Sequence, residues 1–201
     1  MKNSAAKKMT TMSEALHRAQ EILNRLNGTQ NPIGAEIGVA IGQTSECLLQ
    51  RHDLKLIMVD SYRPSEEQTE AYKASGDRFG TLTKGEQDAH KRVAEEVTRF
   101  AEPRRALLNM DSLEAAKTIP DGSLDFVFID ADHSYEGASA DISAWHTKVK
   151  PGGWLCGHDY WLVPDPSQSW TQGPKRAVDE FVAERNLRLE LGLNYTWFVR
   201  L

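Results

Sequence analysis

Two clusters of acids and histidine stand out in the chain: Asp130-Ala131-Asp132-His133-Ser134-Tyr135-Glu136-Gly137 and Gly157-His158-Asp159-Tyr160-Trp161. Carboxylates crowded at one site repel unless a proton or a cation is shared. Asp130, His158 and Asp159 would supply two oxygen ligands and one imidazole to a divalent metal. His158 would equally serve as a general base, because an imidazole titrates near neutrality, at about 6.5. Plainer roles stay open: Asp132 as a helix cap, and His158 as a hydrogen-bond partner behind the reacting groups.

A second set of residues suits a nucleoside. Glu36-Ile37-Gly38-Val39-Ala40-Ile41-Gly42 is a glycine turn that lets backbone approach a ligand closely. Its spacing is GxxxG rather than GxGxxG, so the turn alone does not specify a phosphate. Asp60 follows 22 residues after Gly38. A carboxylate at about that distance, roughly 20 residues on, can accept hydrogen bonds from ribose hydroxyls. Asp111, in Asn109-Met110-Asp111-Ser112, could accept from an adenine amino group while Met110 packs on the ring. Capping of the following helix is the alternative for Asp111, as it is for Asp60.

The elements that must position these residues alternate. Ala15, Leu16, Ala19, Ile22, Leu23 and Leu26 have helical spacing, and Asn27-Gly28 is a stop, so residues 12–30 hold an N-terminal helix. Strand 34–39, helix 44–50 and strand 54–59 make a βαβ unit that ends at Asp60. Residues 61–104 are a helical connection, with helices over 66–74 and 86–100 around a loop. Strand 105–108 and helix 113–118 follow. Strand 124–129 has little polar alternation, as expected where both faces are buried. Helix 136–149 leads through Pro151-Gly152-Gly153 into strand 154–156. Helix 175–185 precedes a hairpin of 187–191 and 196–201. The pattern predicts one α/β domain over residues 1–201. It is an open, Rossmann-like, seven-stranded and mostly parallel sheet, with helices on both faces and an antiparallel C-terminal strand. Ligands bind such sheets beyond the carboxyl ends of the strands, which is where both sets of residues fall.

Composition narrows the partners. Lys and Arg number 24 against 29 Asp and Glu, a formal charge of −5, which gives no electrostatic reason to expect nucleic acid. No apolar run approaches the roughly 20 residues that span a bilayer. Residues 1–11 lack the apolar stretch of a signal peptide. Cys47 and Cys156 match no metal or redox spacing and read as reduced thiols of a cytoplasmic protein.

Together, Glu36–Gly42, Val59-Asp60-Ser61, Phe128-Ile129-Asp130-Ala131-Asp132-His133-Ser134-Tyr135, Lys150-Pro151-Gly152-Gly153 and Gly157-His158-Asp159-Tyr160 resemble class I S-adenosylmethionine-dependent methyltransferases, of the methyltransferase domain 24 type. The resemblance runs from about Gly34 to Tyr160. It implies that Glu36 and Gly38 contact the methionine part of the cofactor and that Asp60, with Ser61, holds the ribose. Asp111 and Ser112 would border the adenine. Asp130 and His133 would lie near the cofactor, with Asp130 beside the reacting centre. Small-molecule O-methyltransferases of this kind hold magnesium at positions matching Asp130, His158 and Asp159. His158 departs from that pattern, since magnesium prefers oxygen. The implied activity is O-methylation of a small hydroxylated molecule of sugar, phenolic or natural-product type, with His158 or Asp130 as the base. Homo-oligomers are compatible with it. A binding protein that retains the pocket without catalysis is the rival reading; a nicotinamide-dependent oxidoreductase is another, though its GxGxxG is missing. The nucleic-acid methyltransferase motifs are missing as well. The acceptor is not specified. Residues 161–174, with Trp161, Pro164, Pro166, Trp170 and Gly173, suggest a lid or simply aromatic cover over the core.

Overall fold

The computed structural model describes residues 2–163 and 169–201. Seven strands form one sheet in the order β3-β2-β1-β4-β5-β7-β6. They are β1 (Ile33–Ile37), β2 (Lys55–Asp60), β3 (Arg105–Asn109), β4 (Leu124–Ile129), β5 (Val149–Gly157), β6 (Leu189–Leu191) and β7 (Trp197–Arg200). The first five pair in parallel, while β7 runs antiparallel to both β5 and β6. The chain order reverses between β1 and β4, and a crevice opens at such a reversal beyond the strand ends.

Side-chain alternation along each strand feeds two cores. Val127 and Ile129 of β4 join Ile37 and Leu155 on one face. That face is covered by α5 (Ser112–Thr118), α6 (Tyr135–Trp145) and α7 (Gly173–Arg185), which contribute Ala115, Ile142, Trp145 and Phe181. Phe126 and Phe128 face the other way, toward α1 (Lys2–Arg25), α2 (Gln43–Leu49) and α4 (Lys84–Val97), which contribute Ala19, Ile22, Leu48 and Ala94. Large side chains such as Trp145 and Phe126 are fully buried, each worth roughly 1.5–3 kcal/mol or more by removal from water. A short helix, α3 (Glu70–Ser75), lies in the 61–104 connection.

Several boundaries differ from the sequence expectation. α1 begins earlier than residue 12 and ends at Arg25, and 26–28 form a turn. Helix 66–74 splits into a 3-10 turn at Ser65–Glu67 and α3. α4 stops at Val97, and Pro103 sits in a 3-10 segment, Arg99–Arg104. α6 stops at Trp145, followed by a 3-10 turn. β5 begins at Val149, so Pro151-Gly152-Gly153 lies inside the strand, where the register with β4 shifts between Leu124 and Phe126. β5 carries extra residues at that shift, and proline and glycine are accommodated where the ladder is interrupted. Cys47 and Cys156 are free thiols. Among the described residues no helix is long and apolar enough to cross a membrane.

Candidate active site

A cavity of about 1160 Å³ opens at the carboxyl ends of β1, β2, β4 and β5. All the site residues singled out in the sequence line it: Glu36, Gly38, Asp60, Ser61, Asp111, Ser112, Asp130, His133, His158 and Asp159.

The turn after β1 is shaped by its glycines. Gly38 has φ +88°, and a Cβ there would stand 2.1 Å from the carbonyl oxygen of Asp130. The space freed by the missing side chain is thus taken by the end of β4, which locks the two strand ends together. Asp60 holds the same turn. One carboxylate oxygen accepts the N–H groups of Val39 and Ala40, both at 2.9 Å, and the other accepts that of Tyr62 at 2.8 Å. Three of roughly four acceptor positions are therefore in use. Burial raises the Asp60 pKa against these three bonds. Glu36 is 2% exposed and accepts the Ser45 hydroxyl. Burial carries its carboxyl up to about 8, against the pull of Ser45 and of Arg18.

At the opposite end Asp111 is the N-cap of α5, accepting from Leu113 N at 2.9 Å and Glu114 N at 3.4 Å. It also pairs with Arg63 Nη2 at 2.9 Å. Ser112 Oγ donates to Asp141 and accepts from Trp145 Nε1 at 2.9 Å. Asp141 sits mid-helix, and no motif around it marks it in the sequence. It is 5% exposed, and burial pushes its carboxyl up to about 7 despite the Ser112 bond.

The acid–histidine clusters come together. His133 Nε2 lies 3.0 Å from Asp159 Oδ2 and 3.3 Å from Asp130 Oδ1, while Nδ1 lies 2.7 Å from Asp77 Oδ2. Burial opposes its charge, but Asp159, Asp130 and Asp77 outweigh burial and hold the ring well above its usual pKa. Asp159 is held well below the carboxylate range, because His133 and His158 overcome its burial. Asp77 comes from the 61–104 connection, and nothing in its local sequence marks it. Asp132 accepts from Ser134 N at 2.8 Å, and Ser134, not Asp132, is the N-cap of α6.

His158 faces two kinds of neighbour. Its Nδ1 lies 3.1 Å from Asp159 Oδ2 and 3.7 Å from Asp130 Oδ1. Its Nε2 lies 3.5 Å from Arg18 Nη1 and 3.4 Å from Asn194 Nδ2. Carboxylates on one nitrogen and donors on the other select the tautomer with a proton on Nδ1 and a lone pair on Nε2. Arg18 and Asn194 come from opposite ends of the chain, beyond any motif. Asp159 itself has φ +58°, a left-handed conformation that aims its carboxylate between the two rings.

The grouping nearest to a metal site is Asp130, His133 and Asp159, whose ligand atoms lie within 4.8 Å of one another. His133, rather than His158, completes it. Magnesium requires near-octahedral oxygen ligands. Here one donor is an imidazole whose second nitrogen rests on Asp77, and a guanidinium stands 3.7 Å from Asp130. The protein brings its own positive charge to these carboxylates, and the donor set does not fit magnesium.

An aromatic wall closes one side. Trp161 stacks on Tyr195 at 3.9 Å and 16°, and Trp170 meets Trp161 edge-on at 5.6 Å. Trp161 and Trp170 belong to the segment expected as a lid, while Tyr195 comes from the turn before β7. Gly173 opens α7, whereas Pro164 and Pro166 lie outside the described residues.

A family model described as a methyltransferase domain matches residues 35–160. No protein of curated function matches the chain. Among solved structures, the O-methyltransferase NovP is similar with a TM-score of 0.63 and 18% identity, over 93% of this chain and 79% of that one. A Corynebacterium glutamicum protein is similar with a TM-score of 0.61 and 19% identity, over 92% and 88%. The S-adenosylhomocysteine-bound methyltransferase PaMTH1 of Podospora anserina is similar with a TM-score of 0.56 and 13% identity, over 84% and 71%. At these identities the structures share the fold.

Proposed function

The chain belongs to this methyltransferase-domain family and is an S-adenosylmethionine-dependent methyltransferase; on that premise we propose that it methylates a hydroxyl of a small molecule, with His158 as the general base. The carrying observation is the His158 ring, with Nδ1 3.1 Å from Asp159 and 3.7 Å from Asp130, and Nε2 on the cavity wall beside Arg18 and Asn194. The sulfonium already carries an activated methyl group. The protein must align the acceptor oxygen in line with it and remove one proton. Asp159 would hold the imidazole in the base-competent tautomer, as a carboxylate does in other histidine-based sites.

The cofactor would lie across the crevice. Glu36 and Gly38 would meet its methionine part, Asp60 and Ser61 its ribose, and Asp111 and Ser112, with Met110, its adenine. Asp130 and His133 would border the sulfonium. Because Asp60 spends three acceptor positions on the turn, its grip on the ribose would be limited to the remaining one. The Trp161–Tyr195 wall supports a ring-bearing acceptor, sugar or phenol, by stacking. The imidazole among the donors and the guanidinium beside Asp130 argue against magnesium, and the proton passes to His158 without a metal.

The test is methyl transfer from labelled S-adenosylmethionine to a panel of phenols and sugars. His158→Ala should lower kcat by about 10²- to 10⁴-fold while the cofactor Kd stays within a few-fold. Turnover should survive EDTA. Normal turnover in His158→Ala would sink the base assignment, and a chelator-sensitive activity restored by a divalent ion would sink the metal-free reading.

A further inference from the structure

Arg18 lies outside the residues matched by the family model, 35–160, yet its side chain reaches the cavity. Ala15, Ala19 and Ile22 of α1 are buried against the sheet, and this packing carries Arg18 over the turn after β1. Its Nε donates to Thr44 Oγ1 at 3.3 Å, and Nη1 stands 3.5 Å from His158 and 3.7 Å from Asp130. Its Nη2 has no hydrogen bond among the described residues.

Other arginines of the fold are held more tightly. Arg25 meets Glu21 at 2.9 Å, Arg51 meets Asp53 at 2.7 Å and Arg63 meets Asp111 at 2.9 Å. Asp130, which stands 3.7 Å from Arg18, is also engaged by His133 and His158. A guanidinium in a cavity with part of its fork unused is suited to a carboxylate ligand, which it can bind through two parallel bonds. Thr44 adds a hydroxyl at the same place. The buried acid nearby is Glu36, whose carboxyl feels Arg18 across the cavity end. One buried acid and one loosely held cation match the two charges of an amino-acid group.

We propose that Arg18 binds the α-carboxylate of the cofactor's methionine part, with Thr44 beside it and Glu36 taking the ammonium. This rests on the S-adenosylmethionine reading above. The N-terminal helix then contributes directly to cofactor selection, and the enzyme discriminates against adenosyl thioethers that lack the carboxylate.

The experiment compares calorimetric Kd values for S-adenosylhomocysteine and for its decarboxylated analogue, S-adenosyl-3-thiopropylamine. Wild-type protein should favour the carboxylated ligand by about 10- to 100-fold, the range expected for a charge-assisted bond. Arg18→Met should bind both about equally, losing affinity only for S-adenosylhomocysteine. Arg18→Lys should keep part of the preference. An undiminished preference in Arg18→Met, or equal weakening for both ligands, would overturn the proposal and leave Arg18 a support for His158. If Arg18→Met melts far below wild type, the wild-type ratio decides, and a ratio near one overturns the proposal. If wild type binds neither ligand, the cofactor reading itself fails and takes this assignment with it.

Discussion

Glu36 is the carboxyl whose charge the cofactor should change. Burial holds it near 8 in the free protein, so at pH 7 it is mostly protonated. An ammonium group docked beside it favours the ionised form. Binding of S-adenosylmethionine at pH 7 should therefore release close to one proton, and affinity should rise as pH goes from about 6 to about 8. Calorimetry in buffers of different ionisation enthalpy measures that proton count. Glu36→Gln should abolish the release and weaken binding; a release that persists in the variant would assign the proton elsewhere. At this scale the sequence displayed residue types but not how their capacity is spent. Asp60 and Asp111 are both where the chain pattern places them, yet each is largely engaged with backbone N–H groups. Arg18 and Asp77 carried no signal at all, because an isolated charge on a helix or in a loop resembles any solvated surface residue.

Elements were legible where periodicity is strong. β4, β1 and β2, the α2 turn and α7 could be read from apolar spacing alone. β5 could not, since a Pro-Gly-Gly bulge and a Pro-Gly-Gly turn have the same sequence and differ only in what β4 offers beside them. The joint between β1 and β4 shows how elements fix the site. Gly38 at φ +88° stands against the Asp130 backbone, with 2.1 Å available to a Cβ. Gly38→Ala should cost about 1–2 kcal/mol for the left-handed backbone and a further 1–3 kcal/mol for overpacking against main chain that cannot swing away. At roughly 2–4 °C per kcal/mol for a chain of this size, the melting temperature should fall by about 4–20 °C. Cofactor affinity should fall with it, because the turn and Asp130 move apart. Thermal melts with and without S-adenosylhomocysteine check both; a variant as stable as wild type would mean the strand ends are not locked together.

For the whole molecule, the buried acids divide into two groups with opposite pH signatures. Asp77, Asp130 and Asp159 are lowered by the histidines among them. Their contribution is present above the ordinary carboxylate pKa and is lost in acid, as pH falls through their folded values. Asp141 and Glu36 are raised, to about 7 and about 8. A raised carboxyl binds its proton more tightly in the folded chain, so its contribution is full below the unfolded value, about 4, and is lost as pH rises through the folded one. Folding stability should then decline from about pH 5 to pH 8, chiefly through Asp141 and Glu36, with Asp60 raised in the same direction; all three border the proposed cofactor crevice. Asp141→Asn separates them. The amide still accepts from Ser112 Oγ but cannot ionise, so the proton-linked loss at Asp141 disappears and the others stay. The variant should already exceed wild type at pH 5, by about 1.4 kcal/mol for one pH unit above the unfolded value, exceed it by more at pH 8, and show a shallower slope between. Urea unfolding at pH 5, 6.5 and 8 measures this directly. Parallel curves for the two proteins would mean that Asp141 is already ionised in the folded state at neutral pH, with solvent or a neighbouring cation compensating its charge.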